Sequence, residues 1–491
     1  METALNVAIW LPLAGAVVIA LLPRRLEQSA RWVAVLVAAV VLALALLLYA
    51  NLGQRGASTG ALSPEFVTRI PWIQTLGVSY FVGLDGLSLP MFVLNALLVF
   101  LAVLVSWNTS LRRREYFALV LVLETAVSGV FAALDFFLFF LFWELELAPM
   151  FLLIGIWGSA RRDYAAMKFI LYTVGGSAFM LVGILVLYLS TPVRSFDMVS
   201  LAAQQFAPQV QLLAWVLLFI GFAVKIPIFP LHTWLPDAHT EAPTAISVLL
   251  AGVLLKMGAY GLLRANVTML PEATRYFATA LALLAVVNIL YGALVAMMQS
   301  DMKRVIANSS ISHMGYVVLG ASALTPLGLE GAVFQMFTHG TITALLFVMV
   351  GLVYDRTHTR EIAALGGLAG RMPFIATTFV VAGLASLGLP GLSGFVSEFL
   401  VFIGSFPVWR VATAFGVFTI VLTAGYILWL LQRVFFGPER PEWRSLGDAS
   451  RLEVATVSIL LATIVAVGVF PWLIGTTIIS GITPIVGRYL T

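Results

Sequence analysis

Four ionisable side chains stand inside long apolar runs of this 491-residue chain, where a charge is hardest to accommodate. Glu144 occurs in FWELELAP and Lys225 in GFAVKIPIFP. Lys256 occurs in LLAGVLLKMGAYGLL, and Glu398 follows GLPGLSG. A charge at the centre of a bilayer costs about 2.5–3.5 kcal/mol, so each one needs an explanation. Buried lysines and glutamates can exchange protons when their surroundings shift their pKa, whereas arginine stays charged. Proton transfer is therefore the predicted chemistry, with compensating salt bridges as the structural alternative.

Two histidines and several hydroxyl and amide groups lie between these positions in later apolar segments. Gln335 and His339 are four residues apart and share one face of a helix. Histidine titrates near physiological pH, and hydroxyls or trapped water can bridge titratable groups. Alternatively, buried histidines serve as structural hydrogen-bonding groups. The predicted relay consists of Glu144, Lys225, Lys256, His313, His339 and Glu398.

Four further residues are predicted to support this relay. Glu124, like Glu146, suits a helix-packing or ion-pair role outside the direct path. Asp135 and Lys303 lie near helix ends, where a side chain can extend to the membrane interface. The fourth is His232, in LHTWLPDAHTEAP, a segment that superficially resembles a metal cluster. Because its two histidines are seven residues apart and separated by proline, we expect an ordered loop near a proton entrance and no metal site.

The composition requires a membrane as the solvent. Of the residues, 61% are hydrophobic and 10% charged, and the mean hydropathy is +1.03. The chain has no cysteine, so disulfides and cysteine-ligated clusters are excluded, and redox chemistry on this chain is not expected. The net charge of +4 comes from arginines in short loops and does not indicate nucleic-acid binding.

Charge clusters and Pro/Gly breaks divide the chain into about fourteen predicted transmembrane helices, which makes it an all-α integral membrane protein. The predicted spans are 3–22, 32–52, 86–107, 115–133, 136–158, 165–189, 209–235, 244–265, 275–299, 302–322, 328–354, 372–402, 410–434 and 453–474. Arginines concentrate in alternate loops. Because arginine-rich loops lie on the cytoplasmic side, both termini are predicted to lie on the non-cytoplasmic side.

Prolines and glycines interrupt the seventh and twelfth helices, one in each half of the chain, beside Lys225 and Glu398. Broken helices at matching positions are typical of inverted-repeat transporters. We predict an N-terminal part (1–107), two inverted five-helix repeats (115–265 and 275–434) and a last helix (453–474), within one polytopic membrane domain (1–491).

Several motifs closely resemble the antiporter-like membrane subunits of respiratory complex I, NADH-quinone oxidoreductase. These motifs are GLDGLSLP at 83–90, FWELELAPMFLLIGIWG at 142–158, KIPIFPLHTWLPDAHTEAP from 225, SDMKRVIANSSISHMGYVVLG at 300–320 and GLPGLSGFVSEFLVF at 388–402. Glu398 and the SHMG segment resemble the type of subunit that has glutamate in its twelfth helix.

The resemblance implies a bacterial cell-membrane translocase subunit that moves protons outward, coupled to quinone reduction on other subunits. Glu144 would pair with Lys225, Lys256 would connect the two half-channels, His313 and His339 would relay onward, and Glu398 would release the proton. The resemblance also implies that FMN, iron–sulfur clusters and quinone are bound by partner subunits and that this chain binds no cofactor. The implied neighbours in the bilayer are L, N and K subunits. The alternatives are a subunit of a multisubunit Na⁺/H⁺ antiporter or membrane-bound hydrogenase, a stand-alone solute transporter, and a passive scaffold.

Overall fold

The computed structural model describes residues 1–52, 62 and 64–489, and most of them are helical. Short 3₁₀ turns connect several helices. The α-helices are α1 (Glu2–Leu21), α2 (Ala30–Ala50), α3 (Leu89–Val105), α4 (Arg113–Ala132), α5 (Phe136–Leu145), α6 (Leu147–Trp157), α7 (Arg162–Leu189), α8 (Met198–Ala203), α9 (Pro208–Lys225), α10 (Trp234–Glu241), α11 (Thr244–Leu249), α12 (Leu255–Gly261), α13 (Pro271–Met297), α14 (Met302–Ala323), α15 (Pro326–Thr357), α16 (Pro373–Ser386), α17 (Ser393–Ser405), α18 (Arg410–Phe435), α19 (Arg451–Val469) and α20 (Trp472–Val486).

The predicted helical membrane fold is confirmed. Within the described residues, 11 helical segments are long and apolar enough to cross a bilayer. The other predicted spans correspond to α3, to the polar helix α14, and to the pair α16 and α17. The structure is thus compatible with fourteen spans. The sequence analysis missed the short helix α8 and the separate C-terminal helix α20.

Both predicted helix breaks are present. Helix α9 ends at Lys225, and no helix is assigned again until α10 begins at Trp234. Pro227 and Pro230 lie between them and have no backbone N–H to donate to a continuing helix. The second break separates α16 from α17, where Gly388 and Gly391 have φ values of +78° and +91°. Side chains rarely allow such values, which explains why glycines occupy this break.

Two further irregularities were not predicted. A turn at Glu146 separates α5 from α6 within the predicted fifth span. The predicted eighth span contains π-helical turns at Leu250–Leu254 and Leu262–Val267, on either side of α12. Such turns are frequent at functional sites.

The connection predicted at 53–85 contains an antiparallel hairpin of β1 (Glu65–Ile73) and β2 (Val78–Leu84), while residues 53–61 and 63 lie outside the described part. The chain divides into two compact units. Unit 1 comprises Met1–Pro227, Val253–Thr279 and Thr476–Thr491, and unit 2 comprises Ile228–Gly252 and Ala280–Gly475. The boundaries of the two inverted repeats stay a prediction.

Candidate functional site

The main feature of unit 1 is a buried ion pair at the end of the broken helix α9. The Lys225 ammonium contacts Glu146 Oε1, and the two side chains are 1% and 0% exposed. The ammonium also lies 5.5 Å from the ring centre of Trp143 and 5.4 Å from that of Phe169. Because both side chains are buried, the attraction between the ammonium and this carboxylate is stronger than it would be in water.

This pair corrects the predicted partner of Lys225. The resemblance assigned Glu144, but the contact is made by Glu146, for which an ion-pair role was one of the alternatives. Residues two apart on a helix face nearly opposite sides, so the two carboxylates cannot both point at one lysine. Glu144 is partly exposed, and its Oε1 has no hydrogen-bond partner among the described residues.

Lys256 is fully buried in α12, and a close helix contact holds it near the end of α9 in unit 1. A Cβ atom added at Gly258, two residues from Lys256, would lie 2.8 Å from Phe222 O and 2.9 Å from Lys225 Cβ. Only glycine allows this approach. The two predicted lysines are therefore carried by backbones in direct contact.

Two of the predicted supporting residues lie in unit 1. Glu124 of α4 is fully buried, and neither of its carboxylate oxygens has a hydrogen-bond partner in the described part of the chain. Asp135 was expected to reach the membrane interface, which is wrong, because it is buried and caps α5. Its carboxylate accepts from the N–H groups of Phe137 (2.9 Å), Leu138 (3.2 Å) and Ser79 (3.0 Å). Burial raises the pKa of Asp135, although these three N–H groups lower it.

Unit 2 brings three predicted relay residues together. His313 Nδ1 lies 3.4 Å from Glu398 Oε1, and the rings of His313 and His339 have centres 5.7 Å apart. His313 Nε2 lies 3.2 Å from the hydroxyl of Ser386, at the end of α16. Because both ring nitrogens of His313 have polar neighbours, a proton can be accepted at one and released at the other.

The break between α16 and α17 provides the space for Glu398. A Cβ atom on Gly388 would lie 2.6 Å from Glu398 Oε2, so any side chain there would displace the carboxylate. Across the adjoining helices, Thr338 donates to Ser397 Oγ at 2.9 Å, and the Ser397 hydroxyl donates to Gln335 Oε1. A small cavity is lined by polar groups of this cluster, namely His313, Gln335, Thr338, His339, Thr343, Ser386 and Glu398.

The remaining supporting residues lie elsewhere in unit 2. Lys303 was expected to extend to the interface, which is wrong, because its buried ammonium donates to Ala242 O at 2.6 Å and Ser247 Oγ at 3.3 Å. His232 is buried against the ring of Tyr291, with ring centres 4.9 Å apart. Among the described residues, no group of three or more His, Cys, Asp or Glu side chains could hold a metal.

Sequence reasoning missed one buried ion pair in unit 1. Arg264, at the end of the predicted span 244–265, is 2% exposed and lies 2.7 Å from Asp85 Oδ1. The signal available was the spacing of Lys256, Tyr260 and Arg264, which places all three on one helix face.

Long apolar helices, two of them broken, together with buried lysine–carboxylate and histidine–carboxylate pairs, define a multi-pass membrane protein with titratable groups inside its helices. The chain belongs to the family described as NADH:quinone oxidoreductase/Mrp antiporter, TM, whose model matches residues 133–423. The predicted family resemblance is thereby confirmed.

Individual relatives agree with this family. The chain is similar to NAD(P)H-quinone oxidoreductase chain 4 1 of Synechococcus sp., with 46% identity over 95% of this chain and 89% of the relative. Its fold matches a chain in the structure of respiratory complex I from Thermus thermophilus, with TM-score 0.89, 30% identity and coverage of 98% and 99%. A chain of the Mrp complex from Dietzia sp. shares the fold, with TM-score 0.87, 22% identity and coverage of 100% and 99%.

Proposed function

We propose that this chain is a proton-translocating membrane subunit of an NADH:quinone oxidoreductase, of the M or subunit 4 type. The observation that carries the proposal is the buried ion pair of Lys225 and Glu146 at a break in a membrane helix. A buried ion pair is costly to form, and its attraction holds the lysine's proton only while the carboxylate stays close. Movement of Glu146 away from the ammonium therefore lowers the proton affinity of Lys225.

The proton lost by Lys225 passes to Lys256, whose helix touches the end of α9 within unit 1. In unit 2, His313 and His339 carry protons to Glu398, the terminal group that releases them. We place uptake on the cytoplasmic side and both termini on the opposite side of a bacterial cell membrane. Quinone reduction, with FMN and iron–sulfur clusters, takes place on partner subunits, and L, N and K types are the neighbours in the membrane arm.

The deciding experiment compares Lys225→Ala with Lys168→Ala in membranes that carry the assembled complex. Lys168 is a matched control in the same unit, because its partly exposed ammonium lies 5.6 Å from the ring centre of Tyr164, on the same helix. Lys225→Ala should abolish proton pumping and strongly reduce quinone-reductase turnover, whereas Lys168→Ala should leave both near wild type. A native gel controls for assembly. If the assembled Lys225→Ala complex still pumps, the lysine is structural and the proposal fails.

A second candidate is a subunit of a multisubunit Na⁺/H⁺ antiporter, because the family description and the Dietzia fold match include such complexes. Purification of the chain with its natural partners separates the two candidates. Co-purification of NADH-oxidising or quinone-reducing activity supports the first candidate. Sodium-dependent proton exchange without redox activity supports the second.

A further inference from the structure

Asp85 and Arg264 form a second buried ion pair in unit 1, away from the pair of Lys225 and Glu146. Asp85 lies between β2 and α3 and is 5% exposed. Its Oδ1 lies 2.7 Å from Arg264 Nη2 and also accepts from the N–H groups of Leu87 (3.1 Å) and Ser88 (3.0 Å). Burial raises the pKa of Asp85, but Arg264 and Ser88 lower it further, so the net pKa lies below its ordinary value of 3.8. Asp85 is therefore ionised at neutral pH.

The pair shares its helix with Lys256. Arg264 Nε donates to the Tyr260 hydroxyl at 3.0 Å, and this hydroxyl donates to Phe131 O at 3.3 Å. Lys256, Tyr260 and Arg264 follow one another at intervals of four residues and are all fully or almost fully buried. A rise of about 1.5 Å per residue places the backbone of Arg264 about 12 Å along the helix from that of Lys256.

The loop that carries Asp85 is held in place by the C-terminal helix. A Cβ atom on Gly86 would lie 2.1 Å from Thr477 O and 2.4 Å from Gly481 N, both in α20. Asp85 is consequently fixed beside Arg264 by backbone packing. Among the described residues, the titratable groups that act on the pair are its two members and Tyr260, and Ser88 adds hydrogen bonds to Asp85.

We propose that Asp85 is a positioning residue for proton transfer, which neutralises Arg264 and so sets the proton affinity of Lys256. This inference rests on the proposed function. If Asp85 no longer balances Arg264, the positive guanidinium repels a proton on Lys256. Across about 12 Å and at the effective dielectric constant of about 20 that suits protein sites, one unit charge changes the proton affinity by about one pH unit. Removal of the guanidinium instead leaves a negative carboxylate and has the opposite effect.

The test is the pH profile of proton pumping by the assembled complex in membrane vesicles, with Asp85→Asn, Arg264→Gln and the double variant. Pumping fails at high pH when Lys256 loses its proton. We expect the midpoint of that alkaline limb to fall by about one pH unit in Asp85→Asn and to rise by about one in Arg264→Gln. The neutral double variant should match wild type within about 0.3 unit.

Shifts of opposite sign distinguish electrostatic control from a structural role, which would lower pumping without moving the midpoint. If one single variant does not assemble, the midpoint shift of the other is sufficient to test the inference. The inference is overturned if the midpoints of all variants are equal. It is also overturned if none of the three variants, the double variant included, assembles. Lys225→Ala is measured in parallel. If it still pumps, the proposed function fails; if it does not pump and the midpoints are equal, only the role of Asp85 fails.

Discussion

Replacing Glu146 by glutamine tests which carboxylate pairs with Lys225. The substitution keeps the shape of the side chain and removes its charge. Lys225 is 1% exposed, so bulk solvent does not reach the ammonium that has lost its partner. Breaking a buried ion pair from one side costs about 3–5 kcal/mol when the remaining group stays charged. Glu146→Gln therefore leaves the Lys225 ammonium without its paired charge, which should destabilise the assembled complex.

The assay combines the thermal stability of the assembled complex with proton pumping in vesicles. Glu146→Gln should lower both, and the double variant Glu146→Gln/Lys225→Met should recover stability while pumping stays lost. Recovery is expected because neither member of this pair carries a charge in the double variant. Glu144→Gln is the matched control, since Glu144 is partly exposed and the carboxylate that contacts Lys225 in the described structure is that of Glu146.

The outcome can refute the assignment in two ways. If Glu144→Gln causes the larger loss of stability, and that loss is reversed by Lys225→Met, then Glu144 is the partner of the lysine. If neither glutamine variant changes stability or pumping, the ion pair does not control Lys225 at all.

Gly388→Ala should reduce pumping at least tenfold and destabilise the protein by about 1–3 kcal/mol, because φ is +78° and the new Cβ would lie 2.6 Å from Glu398 Oε2. Pumping assays and thermal unfolding measure this, and wild-type values would contradict it. Asp135→Ala should cost about 0.5–2 kcal/mol by removing the cap of α5, seen as lower thermal stability, while each assembled complex still pumps. A pumping defect without a stability loss would instead place Asp135 in the proton path. Ser386→Ala should remove a hydrogen bond to His313 worth about 0.5–1.5 kcal/mol, and the assembled complex should pump several-fold more slowly. An unchanged pumping rate would show that this hydroxyl does not position the ring.

The correction at Glu144 shows the limit of motif reasoning. The segment FWELELAP offers two carboxylates two residues apart, and the sequence contains no feature that selects one of them. The choice depends on which side of the chain faces Lys225 near the turn at Glu146, between α5 and α6. Pro149 has no N–H to donate to the carbonyl of Leu145 and is a local signal for the turn, but it does not indicate which carboxylate reaches Lys225.

The burial of Lys303 and Asp135 has a similar origin. Both stand close to the start of a helix, where solvent is the usual neighbour. In the structure, the Lys303 ammonium donates a hydrogen bond to the carbonyl of Ala242, and the N–H groups at the start of α5 donate to Asp135. These partners come from other segments or from exact helix ends, which cannot be located from the sequence.

The sequence by itself determined the membrane fold, the two helix breaks and the titratable side chains, because apolar length, proline and residue type act locally. Only the tertiary structure decided that Glu146 holds Lys225, that Gly388 makes room for Glu398, and that Arg264 is buried against Asp85. These pairings join segments up to 179 positions apart in the chain. Their partners are selected by helix packing and the high cost of an unpaired buried charge, which no local pattern records.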